Sequence, residues 1–435
     1  MTRSARRAPD GHIERDRPLT RPVLLVLGAL SAFGPLSMDL YLPALPSLAD
    51  DLGTTEAVAQ LTMTACMIGL ALGQLLLGPV SDRFGRRVPL LLGVGTFAVA
   101  SLLCVLATDI GVLIALRLIQ GLAGGAGIVV ARAVVRDLCD TESAARVFSL
   151  LVLVSGAAPV LAPVLGAQVL RFTEWRGTFV TLGLVGCALL MAAVWGVRES
   201  LPPERRARAG VAEGRRQVAT VLRDRGFVAH TAVLALGSTL LFCYIAMSPF
   251  VLQHEYGLSA QLFSVVFAAN AVGLVLCGSL SARLVQRIGP AATLTAGLVT
   301  GAVAAVALAL ATALGAGLAV VLPLLLAAVS TVSLVQPTST ALALTHHASR
   351  AGAASGLVGL AQFGVGGAVA PLVSLAGTTA VVMTVAMAVS VIVALAVHQT
   401  VRRTHRAPAV PHRGDPSARA MHSPPDPASA GREQR

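Results

Sequence analysis

The sequence predicts an all-α integral membrane protein of twelve transmembrane helices in two six-helix bundles. Three observations lead there. The 435 residues are 55% hydrophobic and 12% charged, with a mean hydropathy of +0.78, which lies outside the range of soluble domains. Apolar runs near the roughly 20 helical residues that cross a hydrocarbon core recur twelve times. The basic residues sit between those runs, so the net charge of +12 does not describe the clustered basic face of a nucleic-acid-binding protein.

In chain order, a basic segment, 1–21, precedes the first run, 22–46. That run carries Asp39 and internal prolines, has no small-residue cleavage site and is followed by eleven more, so it reads as a first span and not a signal peptide. The next five, 60–80, 88–107, 110–131, 147–170 and 178–197, complete an N-terminal bundle, 22–197. A charged segment, 198–226, reads as a linker. Runs at 227–252, 261–282, 290–313, 317–338, 352–375 and 378–397 form a C-terminal bundle, 227–397. The tail, 398–435, is rich in Pro, Arg, Ser and His and is expected to be disordered.

Arginine fixes the expected orientation, because basic residues accumulate in short cytoplasmic loops. With both termini inside, 30 of the 33 arginines fall on the inner side; Arg171 and Arg176 lie outside and Arg117 within a span. The expected location is the cytoplasmic membrane. Every basic residue counted among the 33 is arginine. Without lysine there is no Walker A loop and no Schiff-base chemistry, which argues against a self-contained ATP-driven pump. The six cysteines form no Cys-x-x-Cys pair and five lie in apolar runs, so neither metal, disulfide nor other cofactor is expected.

Four residues, Gly78, Ser81, Arg83 and Arg87, recur 200 positions later as Gly278, Ser281, Arg283 and Arg287, at the inner end of each half's second helix. Duplicated halves are the construction of a large class of transporters.

An ionisable side chain inside a span costs at least about 2.5–3.5 kcal/mol, which makes it a functional candidate. Asp39 and Arg117 each lie seven residues from the expected outer end of their spans, about 10 Å deep at 1.5 Å per residue. Equal depth permits contact without establishing it. Asp39 is either a locally satisfied carboxylate or a group that loads and releases a proton as its access alternates; Arg117 is either a static counter-ion or a partner in that exchange. Uncharged candidates for a substrate cavity are Tyr41, Gln120, Tyr244, Asn270, Gln336 and Gln362, although such residues also serve to join helices. The run Gly156 to Gly166, with Pro159 and Pro163, puts small residues and kinks where helices can approach and bend. Span 11 is similarly glycine-rich.

Over 22–397 these residues resemble the major facilitator superfamily. Gly78-Pro79-Val80-Ser81-Asp82-Arg83-Phe84-Gly85-Arg86-Arg87 is similar to its signature between helices 2 and 3, and Leu116-Arg117-Leu118-Ile119-Gln120-Gly121 to its helix 4 signature. The Gly156–Gly166 run resembles the helix 5 antiporter signature, departing from it at Ala158-Pro159 and with the second proline, Pro163. Met38 to Pro46, Ala131 to Asp137 and Trp175 to Phe179 resemble the drug:proton antiporters of bicyclomycin and chloramphenicol resistance (Bcr/CflA type). The resemblance implies export of an antibiotic-like molecule against inward protons, with Asp39 and Arg117 in the coupling positions. Some related exporters carry a second acid near the place of Ser31. It also implies a cytoplasmic gate at Gly78, Asp82, Arg83, Gly85, Arg86, Arg87 and Asp137, with Asp82 near the start of helix 11. The second copy, at the 200-residue offset, has Ala282 where the first has Asp82.

The expected function is proton-driven export of a small drug-like molecule or secondary metabolite by a monomer whose partners are substrate, protons and membrane lipid. The alternative is a nutrient–proton symporter on the same fold. A membrane enzyme is the remote alternative, since its site would need clustered acids, histidines or metal ligands.

Overall fold

The computed structural model describes residues 21–139, 141–206, 211–345, 347 and 350–406. All secondary structure among them is helical. Ten helices are long and apolar enough to cross a membrane, and a bent pair makes eleven. The remaining expected span falls in α7 (Thr141–Val169), which contains the shorter apolar stretch Val154–Val169.

The bent pair is the first span. α1 (Arg21–Ser31) and α2 (Phe33–Asp39) are followed by a 3₁₀ turn, Leu42–Ala44, and α3 (Leu45–Asp51); the axis turns by 47° between Val23–Ser31 and Phe33–Asp51. Prolines explain both breaks. Pro35 has no N–H for the carbonyl of Ser31, and the hydroxyl of Ser155 on α7 donates to that oxygen instead, at 3.0 Å. Pro43 likewise leaves the Asp39 carbonyl without its helical donor, and α2 stops at Asp39. The rod reaches Asp51, beyond the expected end at 46, so Asp39 is farther from its outer end than the equal-depth reckoning assumed.

The N-terminal half is completed by α4 (Glu56–Phe84), α5 (Arg87–Val105), α6 (Ile110–Leu138), α7 and α8 (Trp175–Gly196). The linker is more than a tether. It holds a short 3₁₀ turn, Pro203–Arg205, and the amphipathic α9 (Val211–Leu222), whose Val221 is buried in a small core with Phe227, Leu234, Ala354 and Val358. The C-terminal half consists of α10 (Arg225–Phe250), prolonged by a π-turn Val251–Glu255, then α11 (Ala260–Ile288), α12 (Pro290–Ala313), α13 (Leu318–Ser330) and α14 (Val332–Leu344) in one rod, α15 (Ala351–Ser374) and α16 (Ala380–Arg406). α16 takes in residues 398–406, which the sequence reading gave to the tail; the rest of the tail, and the segment before Arg21, lie outside the described residues.

The duplication is visible, but in a corrected register. α4 and α11 each have 29 residues, begin at a hydroxyl cap (Thr55, Ser259) and end at a glycine of positive φ, Gly85 at 92° and Gly289 at 80°. These landmarks superpose at an offset of 204, one helical turn beyond the sequence match at 200. A four-residue slip keeps the helix face nearly unchanged, so repeated small and basic residues matched at the wrong turn. Asp82 then corresponds to Gln286 and not to Ala282; the second copy still lacks the acid.

Backbone contact binds α4 to α6. A Cβ placed on Gly121 would stand 2.0 Å from the Cys66 carbonyl oxygen, and one on Gly69 or Gly73 2.2 Å from the carbonyl oxygens of Leu118 or Leu122. Facing Gly-x-x-x-Gly pairs, 69/73 and 121/125, let two membrane helices approach this closely. Between halves, α4 packs on α15 and α7 on α11, the exchange expected of a pseudo-two-fold axis.

Candidate functional site

The site grows from the break after α2. Asp39 ends that helix with 5% of its surface exposed, and among the described residues it has no ion-pair partner. Tyr244 of α10, in the other half, lies within its electrostatic reach. The Tyr244 ring stacks on Phe267 of α11, centroids 5.4 Å apart, and its buried hydroxyl interacts with the buried side chain of Asn270. Asn270 donates its amide to the Val266 carbonyl at 2.9 Å. Asp39, Tyr244 and Asn270 thus bring three of the sequence-derived candidates to one place between the halves.

Arg117 is elsewhere. Fully buried on α6, its guanidinium lies over the Tyr41 ring, 4.3 Å from the centroid, and 5.6 Å from that of Phe179. It donates to the Gln120 side-chain oxygen, and Gln120 in turn donates to Ser101 at 2.6 Å. Tyr41 shares a hydrogen bond of 3.1 Å with Thr62. The guanidinium has no carboxylate partner among the described residues. Contact between Asp39 and Arg117, left open above, is not made. Tyr41 and Gln120, expected among the cavity candidates, are fully buried in this arginine cluster. Gln336 donates to Ser238 within the C-terminal half at 3.2 Å, and Gln362 is half-buried on α15.

At the arginine-rich end, Arg86 donates to Asp82 at 2.5 Å, to Asp137 at 2.8 Å and to Ser81 at 2.8 Å. Burial works against its charge, but the two carboxylates outweigh it and hold its pKa above the usual value. No hydrogen bond joins Asp82 to α15 among the described residues. Glu199, which the sequence reading passed over, completes the cluster from the linker. Its carboxylate accepts the backbone N–H of Arg86 at 2.8 Å, Arg87 at 3.2 Å and Leu201 at 3.0 Å. Burial raises its pKa, and these three donors more than reverse that. Gly85 is required twice: its φ is positive, and a Cβ there would lie 2.4 Å from Glu199. Arg87 donates to the Val194 carbonyl at 2.9 Å, Arg83 lies over the Phe84 ring, and Gly78 faces Val129 across a gap that leaves room for a Cβ.

α7 is one continuous helix containing Pro159 and Pro163. Gly166 meets the first span so closely that a Cβ would stand 1.8 Å from the Leu40 carbonyl oxygen, whereas Gly156 has nothing within 4 Å. The segment Trp175–Phe179 also gains a structural role: Trp175 and Arg176 donate to Asp51 at 2.9 and 2.6 Å, and Phe179 underlies Arg117.

Polar contacts between the halves gather toward the arginine-poor end. Thr64 donates to the Gly367 carbonyl at 2.5 Å, Ser374 to Gln60 at 2.8 Å, Gln253 to the Pro43 carbonyl at 3.2 Å and Gln261 to the Ala167 carbonyl at 3.3 Å. The outermost join Glu56 to His254 and Thr378. The molecule is closed at that end.

Comparison with known proteins gives this arrangement a family. The model of the Major Facilitator Superfamily matches residues 26–371. An uncharacterised MFS-type transporter, YdgK of Bacillus subtilis, is 34% identical over 370 residues, covering 85% of this chain and 92% of that one. The bicyclomycin resistance protein homologue of Haemophilus influenzae is 28% identical, covering 81% and 88%. The chloramphenicol resistance protein of Pseudomonas aeruginosa is 33% identical, covering 64% and 67%. Among solved structures, a bacterial homologue of the human lysosomal transporter Spinster superposes with a TM-score of 0.69 at 17% identity, covering 89% of this chain and 98% of that one.

Proposed function

This chain belongs to the major facilitator superfamily, and on that premise we propose that it exports small drug-like molecules in exchange for protons, by alternating access between its halves. The observation that carries the reading is Asp39: a buried acid with no ion-pair partner among the described residues, at a proline-made break in the first span, within electrostatic reach of Tyr244 of the opposite half. A lone ionisable group in the bilayer interior is where taking up or losing one proton changes the local energy most. Broken membrane helices lining the junction between repeats are where transporters place coupling sites. Relatives named for bicyclomycin and chloramphenicol resistance support the drug-like class and the outward direction.

In this reading the arginine-poor end faces outward and both termini lie inside a cytoplasmic membrane. Asp39 takes a proton from the outer side. Taking up the proton removes a buried charge from the junction, the bundles rock, and the proton leaves inward as cargo binds. Arg117 acts from a distance. Held on Tyr41 and Phe179 by cation–π contact, it supplies a fixed positive field without pairing with Asp39. The Arg86 cluster holds the inner loop, so that Asp82 can engage the other half when the outer end opens. One proton crossing 100 mV supplies about 2.3 kcal/mol, enough for roughly a fifty-fold concentration ratio.

Inside-out vesicles with an acidified lumen test this. Adding chloramphenicol should release lumenal protons, and Asp39→Asn should abolish the release at unchanged protein abundance. Co-movement of drug and proton would instead mark a symporter.

A further inference from the structure

The outermost contact between the halves is built differently from the rest. Glu56 begins α4 in the N-terminal half, and its two carboxylate oxygens accept from two separate elements of the C-terminal half: His254 Nδ1, on the π-turn after α10, at 3.0 Å, and the hydroxyl of Thr378, in the loop before α16. The two acceptor–donor pairs join three helix ends through one side chain. His254 is tied into its own half by the ring of Phe250, 6.1 Å away, and its neighbour Glu255 accepts the Ala380 backbone N–H at 2.6 Å. The C-terminal half therefore presents His254 and Thr378 as one rigid pair.

The surroundings of His254 hold several acids. Besides Glu56 on α4 and the adjoining Glu255, a depression of about 750 Å³ beside it is lined by Asp50 and Asp51 of α3 and by Glu174 ahead of α8. Arg176 is engaged with Asp51. His254 and Glu56 are both partly exposed, with 44% and 31% of their side chains accessible, so the contact equilibrates with the outer solution. Protonating the ring turns a hydrogen bond onto a carboxylate into an ion pair between the halves, which is stronger.

We infer that Glu56, with His254 and Thr378, is the outer gate latch of this transporter, and that external protons tighten it through His254. The inference rests on the proposed exporter only for the direction "outer"; the latch itself follows from the contacts. Acid outside both drives the proposed exchange and favours the outward-closed state, which returns the binding site to the cytoplasm after each proton is loaded. At alkaline external pH the latch weakens and the closed state is less populated.

The test is a distance. Spin labels at Phe172→Cys and Leu314→Cys, both on exposed loops of the arginine-poor end in opposite halves, report the width of the outer mouth in nanodiscs, with the native cysteines replaced. The short-distance population should rise as pH falls from 8 to 6. His254→Ala should remove most of that response, and any remainder belongs to Asp39. His254→Lys should keep the mouth closed at pH 8. Glu56→Gln should reduce the ratio of closed to open more at pH 6 than at pH 8, by roughly tenfold at the acid end. Should Glu56→Gln leave the distances unchanged, or His254→Ala keep the full pH response, the latch is refuted. The readout needs no substrate, so it survives or fails independently of proton-coupled export.

Discussion

Adding one methyl group at Gly121 should weaken the whole N-terminal half. Its Cβ would lie 2.0 Å from the Cys66 carbonyl oxygen, where ordinary contact begins near 3.4 Å, so α4 and α6 must part by more than 1 Å. A radial gap of about 0.5–1 Å already forfeits a quarter to a half of the dispersion attraction of each contact. The adjacent contacts at Gly69, Gly73 and Gly125 share the loss. Overpacking of this kind costs about 1–3 kcal/mol, against which the better helix propensity of alanine returns at most about 1 kcal/mol. Gly121→Ala should therefore lower the unfolding temperature in detergent by several degrees. Gly156→Ala, with nothing within 4 Å of the new Cβ, should leave it unchanged or raise it. Equal melting of the two variants would show that the α4–α6 crossing is not packed as described.

The arginine cluster predicts that Tyr41→Leu, by removing the nearer ring, forfeits about 2 kcal/mol of desolvated cation–π attraction and sharply reduces transport, whereas Tyr41→Phe keeps most of it; matching activities in a resistance assay would contradict this. Asp82→Asn should slow cycling and leave equilibrium substrate affinity within several-fold, as read by turnover and binding measured separately. Asp224 caps α10 through the N–H groups of Gly226 and Phe227 and accepts from His347 at 2.9 Å. Burial raises its pKa, but these donors outweigh it and hold it below the usual carboxylate value. A depressed carboxyl stabilises the fold above its unfolded pKa and ceases to as pH falls through its folded one. Asp224→Ala should thus cost about 1 kcal/mol at pH 7, and melting curves should show the deficit holding down to the ordinary carboxylate value of about 4 and shrinking only beneath it.

Much of this architecture was legible because hydrophobicity and arginine placement act over twenty residues at a time. The apolar spans needed no tertiary knowledge, whereas the meeting of Asp82, Arg86 and Asp137 was implied only by the family resemblance. Single-residue geometry was another matter. Pro35 and Pro43 were visible as prolines, but not that Ser155 would replace a lost donor or that α2 would stop at Asp39. The glycines that set the close α4–α6 crossing, 69/73 and 121/125, are readable as Gly-x-x-x-Gly pairs, but spans 5 and 11 are as rich in glycine, and their Gly156, Gly352, Gly359 and Gly364 touch nothing within 4 Å. Glu199 escaped because it sits 113 positions from the backbone it caps, and no local pattern announces so distant a partner. Asp39 and Arg117 seemed comparable in depth only because the first rod was ended too early. Their separation follows from Tyr41, two residues on, taking the place over the guanidinium.

The central claim is that one carboxyl group converts the proton gradient into outward drug movement. Steady-state accumulation of chloramphenicol in inside-out vesicles, measured at zero voltage across a series of imposed pH differences, tests it most directly. The wild type should accumulate roughly tenfold more per pH unit for each proton exchanged, and Asp39→Asn should show no slope. An Asp39→Asn protein that keeps the wild-type slope would place the coupling elsewhere.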